Sequence, residues 1–393
     1  MESNETYQDK NDNKAKDNYT NFTTSIPLLN ELFHVHYKVG EGAFSSVYLA
    51  TLKSSNTHKK FALKKLIPTC HPERIERELH CLQQIGGKDY IVGLELCLRH
   101  CGSVVFVMPY MRHDKFSEYI QDMTVEETKD YMRALLTALR RVHNFHIIHR
   151  DVKPSNFLYD RTNRRYLLVD FGLAQECSVE KLKNLRKLSR ESTEVQNTKR
   201  KRSDENNLSL RSDSVAKKIM DNKCYCFGKP KVCAICLKLP QQSAPRAGTP
   251  GYRAPEVLLK YPLQTSAIDI WACGVMMLCI LSGSQPFFHS PDDCTALAEI
   301  TTIFGSNEIQ KCAQKLGKKV IFSENLPGID IMSLCLKLKE RNKTMFSREN
   351  SSCKLPDIKY PEEAYNFLMR LLDLDYKTRI TAEEALAHPF LCL

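Results

Sequence analysis

The stretch His149-Arg150-Asp151-Val152-Lys153-Pro154-Ser155-Asn156 constrains this chain more than any other. It sets a carboxylate, an amine and an amide within six residues, Asp151 to Asn156. A helical-looking segment, residues 131–143, precedes it, and the apolar residues 166–169 follow. Phosphoryl transfer to a hydroxyl asks for a group that takes the proton, cations on the phosphates, and ligands for Mg²⁺. Asp151 suits the first task and Lys153 can neutralise charge on the moving phosphoryl. Asn156 can hold a metal through its side-chain oxygen. A surface turn of mixed charge would look much the same in isolation. The weight of the stretch therefore rests on complementary parts standing elsewhere in the right order.

Residues 1–25 are rich in Asn, Asp, Lys and Thr, with almost nothing to bury, and are expected to be disordered. Val35, Tyr37 and Val39 then alternate, Gly40-Glu41-Gly42-Ala43-Phe44-Ser45 turns the chain, and Val47 and Leu49 resume the alternation. The pattern predicts a hairpin with a glycine-rich tip. Glycine lets backbone N–H groups approach phosphates with no Cβ in the way, although a bare hairpin turn would read alike. In Phe61-Ala62-Leu63-Lys64, strand alternation puts Ala62, Lys64 and Leu66 on one face. A lysine turned inward needs a partner. Pro72 opens a helix whose apolar stripe is Ile75, Leu79 and Leu82, and Glu78 lies on that inward side. Glu73 and Glu76 are expected to face solvent. Residues 104–108 form a short apolar strand leading to Pro109-Tyr110-Met111, and Tyr131, Leu135, Ala138 and Val142 form a helical stripe. After the octapeptide come Leu167-Leu168-Val169-Asp170-Phe171-Gly172, then Gly248-Thr249-Pro250-Gly251-Tyr252-Arg253-Ala254-Pro255-Glu256, then Asp269-Ile270-Trp271-Ala272-Cys273-Gly274. Leu372-Asp373-Leu374-Asp375 runs on to Arg379.

In this order the stretches resemble the motifs of the protein kinase family, over about residues 33–390. Two positions depart from the pattern: Val152 stands for the usual Leu, and Ser45 for a third glycine. The resemblance implies an α+β bilobal fold: a small antiparallel sheet plus one helix over residues 33–108, then a larger, mainly helical lobe with inserts over 109–391. It implies ATP in the cleft, contacted by Gly40, Glu41, Gly42, Ala43, Phe44, Ser45, Val47, Ala62, Lys64, Glu78, Met108, Pro109, Met111 and Leu158. Lys64 would meet the α/β-phosphates and Glu78 would hold Lys64. Met108 would guard the adenine pocket, with the backbone of Pro109 and Met111 at the adenine edge. Asp170 and Asn156 would bind Mg²⁺, Asp151 and Lys153 would be catalytic, and Glu256 would pair with Arg379. Lys153, two residues after Asp151, resembles the serine/threonine class rather than the tyrosine class. A pseudokinase scaffold competes with this reading, but such scaffolds usually lack an equivalent of Lys64, Asp151 or Asp170, and all three are present.

Residues 177–243 form a polar insert where kinases carry a short activation segment, with Lys199-Arg200-Lys201-Arg202 at its centre. Such a run reads either as solvated loop or as a nuclear-import signal. Cys224, Cys226, Cys233 and Cys236 follow, over residues 224–236, with Gly228 and Pro230 between the pairs. This spacing suits a structural Cys₄ zinc knuckle, against four unligated thiols or a redox pair. A second insert, 306–360, mixes amphipathic and polar character and is expected to end in an Asn/Lys/Ser-rich linker near residues 340–354.

A zinc-like insert at that place, followed by residues 244–251, resembles the cell-division-cycle-seven family of serine/threonine kinases. Further matches are Leu66-Ile67-Pro68-Thr69, Met108-Pro109-Tyr110 and residues 151–158. That resemblance implies a nuclear enzyme acting with a regulatory activator subunit of the dumbbell-former-four type. Its substrates would be acidic segments of the minichromosome maintenance helicase, phosphorylated at the start of DNA replication. Arg246 and Arg253 flank the loop 248–251, which by resemblance lies beside the substrate residue after the phosphoacceptor; two guanidinium groups there would select an acidic or phosphorylated residue, unless Arg253 only makes a structural salt bridge. The alternatives are a casein-kinase-two-like acid-directed kinase and a nucleic-acid-binding scaffold. Direct nucleic-acid binding is not expected.

Bulk properties agree with a soluble globular enzyme. The 393 residues are 42% hydrophobic and 26% charged, enough to bury a sizeable core, and the formal charge of +11 favours acidic partners. Most of the 16 cysteines stand singly in apolar runs, among them Cys81, Cys97, Cys273 and Cys279, and read as small buried thiols. Neither a signal peptide nor N-myristoylation is expected, since residue 2 is Glu and no basic-then-apolar segment opens the chain. The longest apolar run, residues 270–281, is too short to cross a bilayer and predicts a buried helix.

Overall fold

The computed structural model describes residues 26–42, 44–54, 59–67, 71–177, 247–349 and 356–392. The chain divides into two units, residues 1–177 with 246–393, and 178–245. The second unit, Ala43, and the tail 1–25 lie outside the described residues.

Helix α1 (Pro27–Leu32) leads into β1 (Phe33–Gly42), β2 (Ser45–Leu52) and β3 (Lys60–Leu66). Helix α2 (Pro72–Ile85), β4 (Leu96–His100) and β5 (Ser103–Pro109) complete the first part. The five strands form one sheet in the order β1-β2-β3-β5-β4, every neighbouring pair antiparallel. Strand alternation sorts the two faces. Leu66, Val104, Phe106 and Met108 join the core beneath α2, while Phe61, Leu63, Val105 and Val107 join a second cluster with Ile26, Leu29 and Phe33. Because α1 covers that outer face, β5 is buried from Val104 to Met108 instead of alternating with water.

One strand departs from the expected pattern. Tyr37 and Val39 are exposed although Val35 is buried, because the β1–β2 register shifts between Val35 and Lys38 and again before Gly40. A bulge of this kind turns the following side chains to the other face.

After α3 (Phe116–Tyr119), helix α4 (Val125–Asn144) starts on Thr124, whose hydroxyl accepts from the N–H of Glu127 at 3.1 Å. Tyr131, Leu135, Ala138 and Val142 are fully buried along its stripe. Short strands β6 (Ile147–Ile148), β7 (Phe157–Asp160), β8 (Arg165–Leu168) and β9 (Gln175–Glu176) follow, with β6 paired to β9 and β7 to β8. The large helical part then comprises α5 (Pro255–Leu258), α6 (Ala267–Ser282), α7 (Asp293–Phe304), α8 (Ser306–Lys315), α9 (Ile331–Glu349), α10 (Glu362–Leu371), α11 (Ala382–Leu386) and α12 (Pro389–Cys392). In α6 every residue from Ile268 to Ser282 is buried, as its uninterrupted apolar run requires. Among the described residues no helix is long and apolar enough to cross a membrane.

The second insert corrects the expected linker. Residues 340–349 continue α9 and do not form a loop; residues 350–355 lie outside the described ones. Ile331 and Cys335 are buried, Lys339 stands 4.5 Å over the Tyr360 ring, and the Asn342 amide donates to the carbonyl of Gly283 at 2.9 Å. Four anchors at helical spacing hold the polar segment as helix against the large lobe.

Candidate active site

Three elements bring the expected cleft residues together. The β3 register opposes Lys64 to Val47 on one side and Phe106 on the other, so its side chain turns under the sheet toward α2. There Glu78, 3% exposed, takes its ammonium in an ion pair, and Asp170 takes it at 2.7 Å. Burial alone would lower the Lys64 pKa, but the two carboxylates hold it above the ordinary amine value. Burial likewise pushes the Asp170 carboxyl up. Lys64 and the N–H of Gly172 outweigh it and leave the group at about 2, so it stays ionised at any physiological pH. Asp170 sits at a φ of +65°, a left-handed conformation held by these partners.

The octapeptide forms a second constellation. The Asn156 amide donates to the carbonyl of Asp151 at 2.8 Å and to its carboxylate at 3.0 Å. Lys153 Nζ stands 2.9 Å from the same carboxylate oxygen, Asp151 Oδ2, and 2.9 Å from the Thr249 hydroxyl. That hydroxyl in turn donates to Asp151 Oδ1 at 3.0 Å. The loop is pinned from below by Asp269, 1% exposed, which accepts from the N–H groups of His149 and Arg150 at 2.8 Å and bonds His143 at 3.0 Å. Burial raises the Asp269 carboxyl, and the His143 bond with the other donors brings it below the usual carboxylate range. These bonds fix Arg150 at a φ of +70°. Gly248 packs against the same loop at a φ of +89°, and a Cβ there would come within 2.5 Å of the Arg150 carbonyl oxygen.

A cleft of about 340 Å³ is lined by Gly42, Ser45, Lys64, Glu78, Asp151, Lys153, Asp170 and Thr249, among others. Gly40 and Glu41 sit on the β1 arm of the glycine turn, paired with Val47 and Ser46. At the other end Ala62 pairs with Met108 and Phe61 with Pro109; Met108 and Met111 are buried, and Leu158 is half-buried on β7 opposite Leu167. Gly40 and Gly42 have ordinary negative-φ backbone, and a Cβ on either would meet nothing closer than 3.8 Å. Conformation therefore does not demand glycine at the tip, and close approach of a ligand is the remaining reason.

The donor set fits magnesium and a nucleotide. Asp170 offers an ionised carboxylate, 44% exposed at its side chain, and Asn156, with its NH₂ spent on Asp151, has its oxygen left for a cation. Mg²⁺ is held in this manner, by one or two side chains plus substrate phosphates and not by an all-protein cage. Among the described residues no group of three or more His, Cys, Asp or Glu side chains gathers into a metal cluster, and Cys224, Cys226, Cys233 and Cys236 lie outside those residues.

Arg253, expected to meet substrate, is engaged within the chain. Its guanidinium pairs with Asp293 and bonds the carbonyls of Gly248 and Ala247, the latter at 3.2 Å. Arg246 lies outside the described residues. Glu256 and Arg379 meet as expected, through two bonds of 2.7 and 3.0 Å.

The description of the protein kinase domain family matches residues 33–195 and 228–391. The chain belongs to the protein kinase family. It is 33% identical to the human cell division cycle 7-related protein kinase, over 93% of this chain and 90% of that protein. It is 34% identical to the Drosophila melanogaster non-specific serine/threonine protein kinase Cdc7, over 96% and 77%. A probable cell division control protein 7 homolog of Encephalitozoon cuniculi is 35% identical over 90% of both chains. The chain is thus a serine/threonine protein kinase of the Cdc7 group, using ATP and Mg²⁺. When bound, these supply the transferable phosphoryl group and the cation that offsets its charge.

Thr249 and Asp269 were not among the site residues that the sequence pointed to. A buried acid in the first turn of an all-apolar helix was the available signal for Asp269, since it must find donors. Thr249 follows the glycine that packs on the loop, and only the fold brings its hydroxyl to Asp151. Thr249→Val should lower kcat by about 10- to 100-fold, because the hydroxyl bonds two charged groups. Thr249→Ser should restore most of the loss. Steady-state kinetics on the three proteins checks this, and an unchanged kcat for the valine variant would contradict it.

Proposed function

We propose that this kinase phosphorylates acidic protein segments in the nucleus, the minichromosome maintenance helicase among them, at the start of DNA replication. In this reading it acts only with a regulatory subunit of the dumbbell-former-four type. The observation that carries the reading is the likeness to Cdc7 kinases across nearly the whole chain, together with an intact set of phosphate, metal and proton ligands in the cleft. Lys64 positions the α/β-phosphates, Asp170 and Asn156 hold magnesium, Asp151 takes the hydroxyl proton, and Lys153 offsets charge on the phosphoryl. Acid selection falls to Arg246, while Arg253 shapes the loop through Gly248 and Asp293. The basic run 199–202 supplies the nuclear address.

The test is ATP turnover by the purified chain on helicase-tail peptides, alone and with the candidate subunit. Strong stimulation by the subunit, and a preference for Asp, Glu or phosphoserine after the target serine that Arg246→Ala abolishes, are the expected results. Full activity without any partner would overturn the two-protein reading and leave the kinase assignment standing.

Cys224, Cys226, Cys233 and Cys236 are proposed to hold one structural Zn²⁺, on the strength of their spacing in a segment too polar to build its own core. Metal analysis should find about one zinc per molecule. Serine at Cys233 and Cys236 should release it and weaken stimulation by the subunit. Freshly purified protein without zinc would exclude the site.

A further inference from the structure

Arg74, on the first turns of α2, has no part in the scheme above, yet it touches two parts of the cleft. Its Nε donates to the carbonyl of Gly172 at 2.6 Å. Its guanidinium carbon lies 3.7 Å from the centre of the Phe44 ring, at the tip of the glycine turn. The tip is fastened on its other side, where the N–H of Ile67 donates to the Phe44 carbonyl at 3.0 Å. Arg74 also stands beside the charged centre. A Cβ on Gly172 would sit 3.1 Å from Asp170 Oδ1, 3.2 Å from Glu78 Oε2 and 3.3 Å from Arg74 Nη2. Two carboxylates, Glu78 and Asp170, share the single ammonium of Lys64, and Arg74 brings the second positive charge.

We infer that Arg74 is a positioning residue that ties the tip of the glycine turn to the Asp170-Phe171-Gly172 segment. Its planar fork presents a face to Phe44 and an edge to the Gly172 carbonyl at once, which a lysine cannot do. Closure of the turn over the phosphates and the active placement of Asp170 then become one coupled event. The glycine turn is kept over the cleft by a contact with α2 and does not depend on nucleotide alone.

A double-mutant cycle on the full-length chain tests this, read by calorimetric binding of Mg²⁺-ATP and by KM for ATP. Arg74→Ala and Phe44→Leu are each expected to weaken ATP binding by about two- to fivefold. The double variant should be no weaker than Arg74→Ala, since both remove one contact. Arg74→Lys should behave as Arg74→Ala, since an ammonium cannot meet the ring face and the Gly172 carbonyl at once. Multiplying effects in the double variant, or wild-type binding by Phe44→Leu, would overturn the inference. If Arg74→Ala fails to fold, the cycle between Arg74→Lys and Phe44→Leu decides on the same terms.

Discussion

Asp151→Ala is expected to lower kcat by about 10²- to 10⁴-fold, the usual contribution of a positioned proton acceptor, with little change in KM for ATP. The split follows from geometry. Asp151 is bonded to Lys153, Thr249 and Asn156, whereas Lys64, Glu78 and Asp170 form their own network. Removing the Asp151 carboxylate therefore strips the hydroxyl side of the site and leaves the Lys64 network in place. Asp151→Asn makes the sharper comparison, since it keeps the volume and a partner for Thr249 but loses the charge. Burst kinetics with saturating ATP, alongside a melting curve, checks both variants. Near-normal phosphotransfer by a folded Asp151→Ala protein would remove the role assigned to this residue.

Arg379→Ala should cost about 3–5 kcal/mol of stability, the second large effect, although Arg379 touches no substrate. The pair it forms with Glu256 is almost fully enclosed, with side chains 0% and 1% exposed. Four hydrogen bonds hold the guanidinium: besides the two to Glu256 it donates to the carbonyls of Ala267 and Asp373 at 2.8 Å, and it lies 5.2 Å from the Trp271 ring. Truncating it strands the Glu256 carboxylate without water or partner, and that desolvation dominates the cost. Glu256→Leu combined with Arg379→Met should recover a substantial part, because no charge then remains buried. Denaturant titration of the three proteins measures the difference. A loss under ~1 kcal/mol in Arg379→Ala would mean that water reaches the site.

What the sequence disclosed depended on how local the determining force was. Lys64 and Glu78 were legible because strand and helix periods each send one side chain inward, and two inward charges of opposite sign must meet. Glu256 and Arg379 were legible only through resemblance, since no period links positions so far apart. The exposed Tyr37 and Val39 were not legible: a bulge is set by pairing with β2, which alternation within one strand cannot report. Residues 340–349 looked like linker because their polarity hides the anchors, Lys339 on Tyr360 and Asn342 on Gly283, that appear only when the lobe is assembled. The same limit applies to Arg74. Its partners Phe44 and Gly172 lie in a turn and a motif that were each recognised for their own sake.

The cap on the outer face of the sheet bears on where this enzyme can be cut. The match to the protein kinase domain begins at residue 33, but Ile26 and Leu29, which lie before it, are buried in one cluster with Phe33, Phe61 and Val105. A shortened chain starting at the family boundary would remove Ile26 and Leu29 from this cluster and expose part of its apolar face. Such a fragment would keep every catalytic residue and still present a sticky apolar surface to its neighbours. The catalytic unit, in the practical sense of what can be made and kept in solution, therefore starts no later than Ile26.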